Sequence, residues 1–84
     1  MGRIKDKIMR KIGFENIKNI KITWDFFRTK PKAWKMNVRR NFYDTYNEFY
    51  VPIVVDSRNV LIDGYTSYLI AEEKGIKYVP VERV

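Results

Sequence analysis

The chain has 84 residues, 45% of them apolar and 15% aromatic, which is enough for one folded domain with a single modest core. It contains neither cysteine nor histidine, which excludes disulfides, zinc sites of ordinary composition, and catalysis by Ser-His-Asp or Cys-His groups. Because no apolar run approaches the length of a bilayer span and no signal-peptide pattern occurs, we expect a cytoplasmic protein that is a monomer or a weak homodimer.

The formal net charge is +7 at pH 7, and the positive charge is concentrated in the first half of the chain. Residues 1–40 carry thirteen Lys and Arg against three acids, whereas residues 41–84 carry four against seven. This asymmetry favours a basic face that contacts a polyanion, with nucleic acid as the first candidate. The alternatives are solubility alone, an anionic membrane surface and an acidic protein partner.

The first third of the chain predicts a basic helix followed by a strand. Apolar residues recur every four positions within residues 1–13, which indicates an amphipathic helix that ends at Gly13. Isoleucines at near-alternating positions predict a first strand over Lys18–Thr23. Thr23 then caps a brief turn over residues 24–27, whose aromatic side chains we expect in the core, with base stacking as the alternative.

The most basic segment contains a predicted helix from Lys32 to Tyr46, and Pro31 favours its first turn. Apolar side chains recur along it at i, i+4 spacing, and we interpret this stripe as the face packed in the core: Trp34, Val38, Phe42 and Tyr46. The lysines and arginines lie largely off the stripe, so their charged ends are available to phosphate groups. The predicted nucleic-acid-binding residues are Arg28, Lys30, Lys32, Lys35, Arg39 and Arg40.

The segment from residue 50 to residue 84 holds the predicted core of the sheet. Two runs rich in β-branched residues, Ile53–Val55 and Val60–Ile62, flank the polar residues 56–59 and predict a β-hairpin. A helix follows, and an apolar run at Tyr78–Val81 returns to the sheet as another strand. We therefore expect one domain over residues 1–84.

The helix after the hairpin begins with a glycine. Gly64 permits close approach of a ligand to the backbone, and free N–H groups at a helix N-terminus attract phosphate. Asp63 is a natural N-cap that would compete for those N–H groups, and Lys74 and Gly75 mark the end of the helix. The candidate residues for binding a nucleotide or phosphate are Gly64, Tyr65, Thr66 and Ser67.

Short motifs in this part of the chain follow a familiar order. Residues 52–55 read P-I-V-V, Asp63 and Gly64 open a helix that carries Tyr68 and Ala71, and residues 79–81 read V-P-V after Gly75. In this order the chain resembles the ParB N-terminal/sulfiredoxin-like domain family, closely over residues 50–84 and loosely before them. The resemblance implies an α+β fold with a short mixed sheet of about four strands, a central hairpin, a Gly-led helix and basic helices from the N-terminal half.

Two positions depart from the motifs of that family. Ser67 stands where members commonly carry an arginine that helps to hold a nucleotide phosphate, and Tyr65 stands where sulfiredoxins have their catalytic cysteine. The absence of cysteine therefore excludes sulfiredoxin chemistry. The resemblance also implies plasmid, phage or other mobile-element biology.

The leading hypothesis is a non-enzymatic DNA-binding accessory or regulatory domain that contacts phosphates through its basic N-terminal face with low sequence specificity. One alternative is a degenerate nucleotide-binding switch that uses residues 64–67, and another is a protein-interaction or inhibitor domain. A metal-dependent nuclease built on Asp56 and Asp63, with Asp44 or Glu48, is least favoured because turn and cap roles explain the two hairpin aspartates. We expect no cofactor and no metal, with DNA as the first partner and a nucleotide or a protein as the others.

Overall fold

The computed structural model describes residues 11–84. In this range the strands are β1 (Lys11–Asn16), β2 (Ile53–Val55), β3 (Leu61–Asp63) and β4 (Tyr78–Arg83). The α-helices are α1 (Trp24–Arg28), α2 (Ala33–Tyr46) and α3 (Tyr65–Glu73), and a 3-10 turn covers Ile17–Asn19. Among the helices of the described range, none combines the length and the apolar character that crossing a membrane requires.

The four strands form one mixed sheet in the order β1-β4-β2-β3. β1 runs antiparallel to β4, with Lys11 opposite Arg83, and β4 runs parallel to β2, with Ile53 opposite Val81. β2 and β3 form the antiparallel hairpin that the two β-branched runs predict. The predicted α+β class is confirmed, with a short mixed sheet of four strands and a Gly-led helix after the hairpin. The hairpin lies at one edge of the sheet, because β3 is an edge strand and β4 inserts between β1 and β2.

The hairpin turn is held by the side chain of Asp56. Its Oδ1 accepts the N–H groups of Arg58 (2.8 Å) and Val60 (3.0 Å), which is the local bonding that makes aspartate a frequent turn residue. Asn59 has a left-handed backbone (φ 64°), a conformation that asparagine adopts more readily than most residues. Asp56 therefore has a structural role.

One face of the sheet is covered by α3, and the core lies between them. Valine and isoleucine dominate because they pack well on a pleated surface, and full burial of one such side chain contributes about 1.5–3 kcal/mol. The core side chains from the sheet and α3 are Ile53, Val55, Leu61, Val79, Val81, Ile70 and Ala71, none more than 2% exposed. The predicted core segment over residues 50–84 supplies all seven.

Helix α3 ends as the sequence predicts. Gly75 follows its last turn with a left-handed backbone (φ 71°). The N–H of Ile76 donates to the carbonyl of Ala71 (2.9 Å), and the N–H of Gly75 donates to the carbonyl of Glu72 (3.1 Å). This pair of hydrogen bonds is the Schellman arrangement that a C-terminal glycine favours.

The prediction of a helix over residues 1–13 is wrong for its last three residues. Residues 11–13 lie in β1, and the remainder of the predicted helix falls outside the described residues. Gly13 does not end a helix. It lies inside β1, which pairs with β4 along its whole length from Lys11 to Asn16. Pairing with a distant strand outweighs the local apolar period.

The strand predicted over Lys18–Thr23 is also wrong. The side chain of Asn16 accepts the N–H of Lys18 (2.9 Å) and stabilises a 3-10 turn there instead. Within the predicted strand, Lys21 alone forms a backbone bridge with the sheet, in parallel to Val60 at the outer edge of β3.

The short helix α1 places one of its three aromatic residues against the core. Thr23 occupies the N-cap position as predicted, although its side chain makes no capping hydrogen bond. The ring of Phe26 lies 5.1 Å from that of Tyr65 and packs on the core cluster. Trp24 and Phe27 are 73% and 55% exposed, so the prediction that they are core residues is wrong.

Helix α2 begins one residue after the predicted start and ends where it was predicted, but its apolar stripe does not lie in the core. Trp34, Val38 and Tyr46 are 65%, 55% and 62% exposed, Phe42 is half-buried, and no residue of the helix is buried. The sheet face is already covered by α3, so α2 packs at the side of α3. The predicted core face is therefore wrong.

Candidate phosphate-binding groove

Two ion pairs link α2 to the end of α3. The guanidinium of Arg40 contacts the carboxylate of Glu73 through two nitrogens, and this contact holds the pKa of Glu73 below its ordinary value and raises that of Arg40. The Nζ of Lys74 lies 2.6 Å from Oδ1 of Asp44. With the helices linked in this way, the first turns of α2 and α3 line the same groove.

This groove has a volume of about 710 Å³, and we call it the basic groove. One wall is formed by α1, the connection to α2 and the first turns of α2, and the other wall by the start of α3 with residues next to the hairpin. Its lining residues are Asp25, Phe26, Thr29, Lys30, Pro31, Lys32, Trp34, Lys35, Arg39, Val51, Asp63, Gly64, Tyr65 and Thr66. Residues predicted separately for nucleic-acid and nucleotide contact are thus neighbours.

Four of the six cations predicted to bind nucleic acid line the basic groove: Lys30, Lys32, Lys35 and Arg39. Within residues 11–84, the ion pairs involve other side chains and none of these four. The guanidinium of Arg39 lies over the ring of Tyr50, 4.5 Å from its centroid, which restrains the planar group. The groove therefore presents four cations that form no ion pair within residues 11–84.

The other two predicted cations are engaged elsewhere. Arg28 lies 3.5 Å from Asp25 in an exposed pair one helical turn away. Arg40 contacts Glu73 and also donates to Oδ1 of Asn37 (2.7 Å). Neither arginine lines the basic groove, so the structure separates them from the other four.

Two carboxylates also line the groove, and both have partners. Asp25 pairs with Arg28, and Oδ1 of Asp63 accepts the N–H of Gly64 (2.8 Å). Asp63 was predicted to be the N-cap of α3, but Gly64 occupies that position. The carboxylate of Asp63 therefore competes for one N–H group and leaves the first turn of α3 without a side-chain cap.

The start of α3 approaches the chain just before β2. Gly64 has φ 86°, and a Cβ there would collide with the carbonyl oxygen of Pro52, so the fold itself requires glycine. Tyr65 and Thr66 are each 8% exposed and line the groove with Gly64. Burial raises the pKa of Tyr65, so its hydroxyl stays a neutral hydrogen-bonding group.

Ser67 does not lie where a ligand in the groove would reach it. It is 2% exposed, and its hydroxyl donates to the carbonyl oxygen of Val51 (2.5 Å). The structure therefore brings three of the four predicted phosphate-binding residues to the groove and gives Ser67 a structural role. The side chain at the position where the resemblance implies an arginine therefore points into the protein interior.

Trp34 is a groove residue that the sequence interpretation missed. Its i, i+4 spacing with Val38 suggested a core face, yet the indole is 65% exposed beside Lys35 and lines the groove. The signal in the sequence was its position within the most basic segment, next to residues already predicted to contact phosphate. An exposed indole beside cations is suited to stacking on a nucleobase.

The carboxylates considered for a metal site do not come together. Asp56 bonds the hairpin turn, Asp44 pairs with Lys74, and Asp63 bonds Gly64. In the part of the chain that the structure describes, no group of three or more acidic residues is placed to hold a metal ion. The arrangement gives no geometric support to the metal-dependent nuclease.

No protein-family profile matches the chain. The chain is 33% identical over 67 residues to an uncharacterized protein of the Acidianus two-tailed virus, a match that covers 80% of this chain and 20% of the viral protein. The chain therefore spans about a fifth of the length of this relative.

Solved structures with the same fold are ParB N-domains. The C2221 form of a Pnob8-like ParB-N domain has a TM-score of 0.74 at 23% identity, and a pNOB8-like ParB N-domain has 0.64 at 26% identity; each match covers 89% of this chain and 30% or 27% of the other. A C-terminally truncated ParB from Caulobacter crescentus, complexed with CTP-gamma-S, has 0.67 at 16% identity, covering 88% of this chain and 44% of that one. The chain has a ParB N-domain-like fold, and the predicted resemblance is confirmed.

Proposed function

We propose that this domain binds the phosphate chain of a nucleoside triphosphate in the basic groove and performs no chemistry on it. The observation that carries the proposal is the meeting, in one groove, of the uncapped first turn of α3 and four cations that form no ion pair within residues 11–84. Helix N-terminal N–H groups and nearby lysines or arginines are complementary to phosphate oxygens. A triphosphate concentrates several negative charges, so it engages all of these groups together.

The size of the groove favours a nucleotide over a DNA duplex. Its volume of about 710 Å³ lies within the roughly 300–1,000 Å³ typical of small-molecule sites. A duplex is contacted by cations spread along an extended surface, because its phosphates follow a long backbone. The cations here surround a concave pocket, which reverses the order of the two hypotheses drawn from the sequence.

The groove is positively charged even though the arginine that the resemblance implies is absent. Lys30, Lys32 and Lys35 reach the groove from the wall opposite α3. Lysine is a compact charge on a flexible stem, and it can follow a phosphate chain without the fixed fork of an arginine. In this proposal the counter-charge comes from these lysines and Arg39.

Two further observations support a nucleotide as the ligand class. Trp34 places a 65% exposed indole at the groove, and stacking of a base on such a ring contributes about 1–3 kcal/mol. The Caulobacter crescentus ParB that shares this fold is complexed with CTP-gamma-S. A pyrimidine or purine triphosphate would have its phosphates at α3 and its base toward Trp34.

Calorimetric titration with CTP, UTP, ATP, GTP and pyrophosphate tests the proposal. We expect at least one triphosphate to bind and to stabilise the fold by about 2.7 kcal/mol when its concentration is a hundredfold above Kd. Lys35→Glu combined with Lys32→Glu should abolish binding. Lys18→Glu combined with Lys21→Glu makes the same charge change outside the groove and should leave affinity within a few-fold. Absence of binding by every triphosphate at millimolar concentration would refute the proposal.

DNA remains the second candidate. The first half of the chain carries thirteen Lys and Arg against three acids, and Lys30, Lys32 and Lys35 are exposed. The viral relative and the pNOB8-like neighbours fit a plasmid- or phage-type ParB-like domain, for which contact with DNA phosphates of low sequence specificity is a natural role. This role is also non-enzymatic.

Fluorescence anisotropy of a labelled duplex at about 50 and 200 mM salt, with and without triphosphate, separates the candidates. Binding that weakens steeply with salt and is displaced by nucleotide would place both ligands on the same cations. DNA binding that does not change when nucleotide is added would show that DNA binds to a surface outside the groove. If neither ligand binds, the protein-interaction hypothesis becomes the first to test.

A further inference from the structure

The outer edge of β1 is the unpaired edge of the sheet within residues 11–84. At the other side of the sheet, Lys21 covers β3: its N–H donates to Asn59 O (2.8 Å), and its carbonyl accepts the N–H of Leu61 (2.9 Å). β1 pairs with β4 on one side only. Edge strands are normally protected by short length, proline or a covering segment, because their free N–H and C=O groups invite pairing with another chain.

The backbone groups that face this edge belong to Ile12 and Phe14. The N–H of Ile17 donates to Lys77 O (2.9 Å), which continues the antiparallel register of β1 with β4. In such a ladder alternate residues bond to the same neighbour, so the odd-numbered residues of β1 face β4 and the even-numbered residues face outward. The side chains of Ile12 and Phe14 are also 80% and 75% exposed.

No contact within residues 11–84 explains why position 13 is a glycine. A Cβ at this position would meet nothing within 4 Å, and its backbone does not have a positive φ. Glycine in the interior of a strand weakens the strand, and it often marks a place where another backbone approaches closely. Nothing in the described part of the chain approaches Gly13 in this way.

We propose that β1 pairs antiparallel with β1 of a second copy of this chain, centred on Gly13, to form one continuous sheet across a two-fold axis. Ile12 of each copy then lies opposite Phe14 of the other, and the outward N–H and C=O groups of these residues bond to one another. The two glycines face each other as a non-hydrogen-bonded pair, where Cα atoms lie only about 4.5 Å apart.

This register is self-complementary in both polarity and charge. Ile12 and Phe14 are on one face, so the pairing joins apolar side chains that are otherwise exposed. On the opposite face Lys11 of one copy lies opposite Glu15 of the other, in the closely spaced pair where cross-strand side chains interact best. The carboxylate of Glu15 is held by Arg83 (3.1 Å) and Asn19 (3.0 Å) of its own chain, so Lys11 of the second copy adds a further cation to a carboxylate that is already fixed in place. No other segment of residues 11–84 offers an unpaired strand edge with this match.

Salt should affect the dimer and the groove in opposite directions. Each chain carries a net charge of +7, so two copies repel each other at long range and added salt screens that repulsion. Binding of a polyanion in the basic groove should instead weaken as salt rises. Dimerisation through β1 and polyanion binding in the basic groove are therefore independent proposals. Because salt acts on them in opposite directions, measurements at two salt concentrations show which of the two fails.

Sedimentation equilibrium at increasing protein concentration and raised salt tests the proposal. We expect a mass that approaches twice that of one chain, and we expect Ile12→Pro to weaken association by at least about tenfold, or roughly 1.4 kcal/mol. Proline there removes only an outward N–H and places its ring at the free edge. Ile12→Thr, which keeps the N–H and a β-branched side chain, should reduce association less.

Lys11→Glu provides a second variant that does not alter the backbone. It places a carboxylate opposite Glu15 of the second copy, and it should weaken association while circular dichroism remains that of the folded chain. A wild-type chain that stays monomeric at high concentration and high salt would overturn the proposal. So would folded Ile12→Pro and Lys11→Glu variants that associate as strongly as the wild type.

Discussion

The hydroxyl of Ser67 donates a hydrogen bond of 2.5 Å to the carbonyl oxygen of Val51, and this bond ties α3 to the chain just before β2. The Ser67 side chain is 2% exposed. At the position where the ParB-like resemblance implies a phosphate-binding arginine, this chain therefore has a serine in its interior.

Replacing Ser67 should therefore affect stability. Ser67→Ala leaves the Val51 carbonyl without its partner, and we expect a loss of about 1–3 kcal/mol in the free energy of unfolding, measured by urea denaturation. Ser67→Arg introduces the arginine that the resemblance implies at this position, but it buries a charge, so the loss should be larger. Thr45→Ala removes an exposed hydroxyl that donates to Asn41 O (2.9 Å), and it should change stability by less than about 0.5 kcal/mol. Equal losses for Ser67→Ala and Thr45→Ala would contradict this assignment.

Two glycines should respond oppositely to alanine. Gly64→Ala places a Cβ against the carbonyl of Pro52 at a positive φ, and we expect a loss of more than about 2 kcal/mol. Gly13→Ala meets no atom of residues 11–84 within 4 Å and should be neutral or stabilise by up to about 1 kcal/mol. Thermal unfolding at low protein concentration gives both values. A Gly64→Ala variant as stable as the wild type would show that α3 begins differently.

The exposed stripe of α2 predicts a contrast between two helices. Val38→Ala should change the free energy of unfolding by less than about 0.5 kcal/mol, because Val38 is 55% exposed and alanine favours the helix. Ile70→Ala in α3 leaves a cavity at a side chain that is 1% exposed, and it should lower the free energy of unfolding by about 2–5 kcal/mol. Chemical denaturation of both variants checks the difference. A large loss of stability for Val38→Ala would show that the apolar stripe of α2 is packed in the core after all.

Acid should destabilise the fold through two named carboxylates. The pKa of Glu73 is lowered by its hydrogen bond from Arg40, and that of Asp56 by the N–H groups of Val60 and Arg58. A carboxylate with a lower pKa in the folded chain adds stability above its unfolded value, and this stability is lost as pH falls through the folded value. The melting temperature should therefore drop as pH falls below the ordinary values of 4.5 for Glu73 and 3.8 for Asp56.

Glu73→Gln and Asp56→Asn test this pH dependence. Each amide keeps an acceptor oxygen but cannot titrate, so each variant should lose less stability than the wild type between neutral and acidic pH. Melting curves across that range provide the measurement. If both variants match the wild-type decline, other groups cause the acid sensitivity.

The sequence by itself determined the elements that depend on neighbouring residues. The hairpin follows from β-branched runs around Asp56, which bonds its own turn, and the end of α3 follows from Gly75, whose left-handed backbone completes the last hydrogen bonds. The bounds of α2 and the ParB-like order of motifs were predictable for the same reason. These signals act over a few residues, and distant parts of the chain do not change them.

Tertiary structure alone decided the rest. The β1 residues form a strand because β4, which lies at the far end of the chain, offers an edge, and Trp34 is exposed because α3 already covers the sheet. Lys35 and Thr66 become neighbours in one groove because α2 packs along α3, where Arg40 pairs with Glu73 and Lys74 with Asp44. Periodicity identifies the apolar face of a segment, but it does not show which other segment will pack against that face. Segments far apart in sequence can compete to cover the same surface, and only the folded chain shows which of them does so.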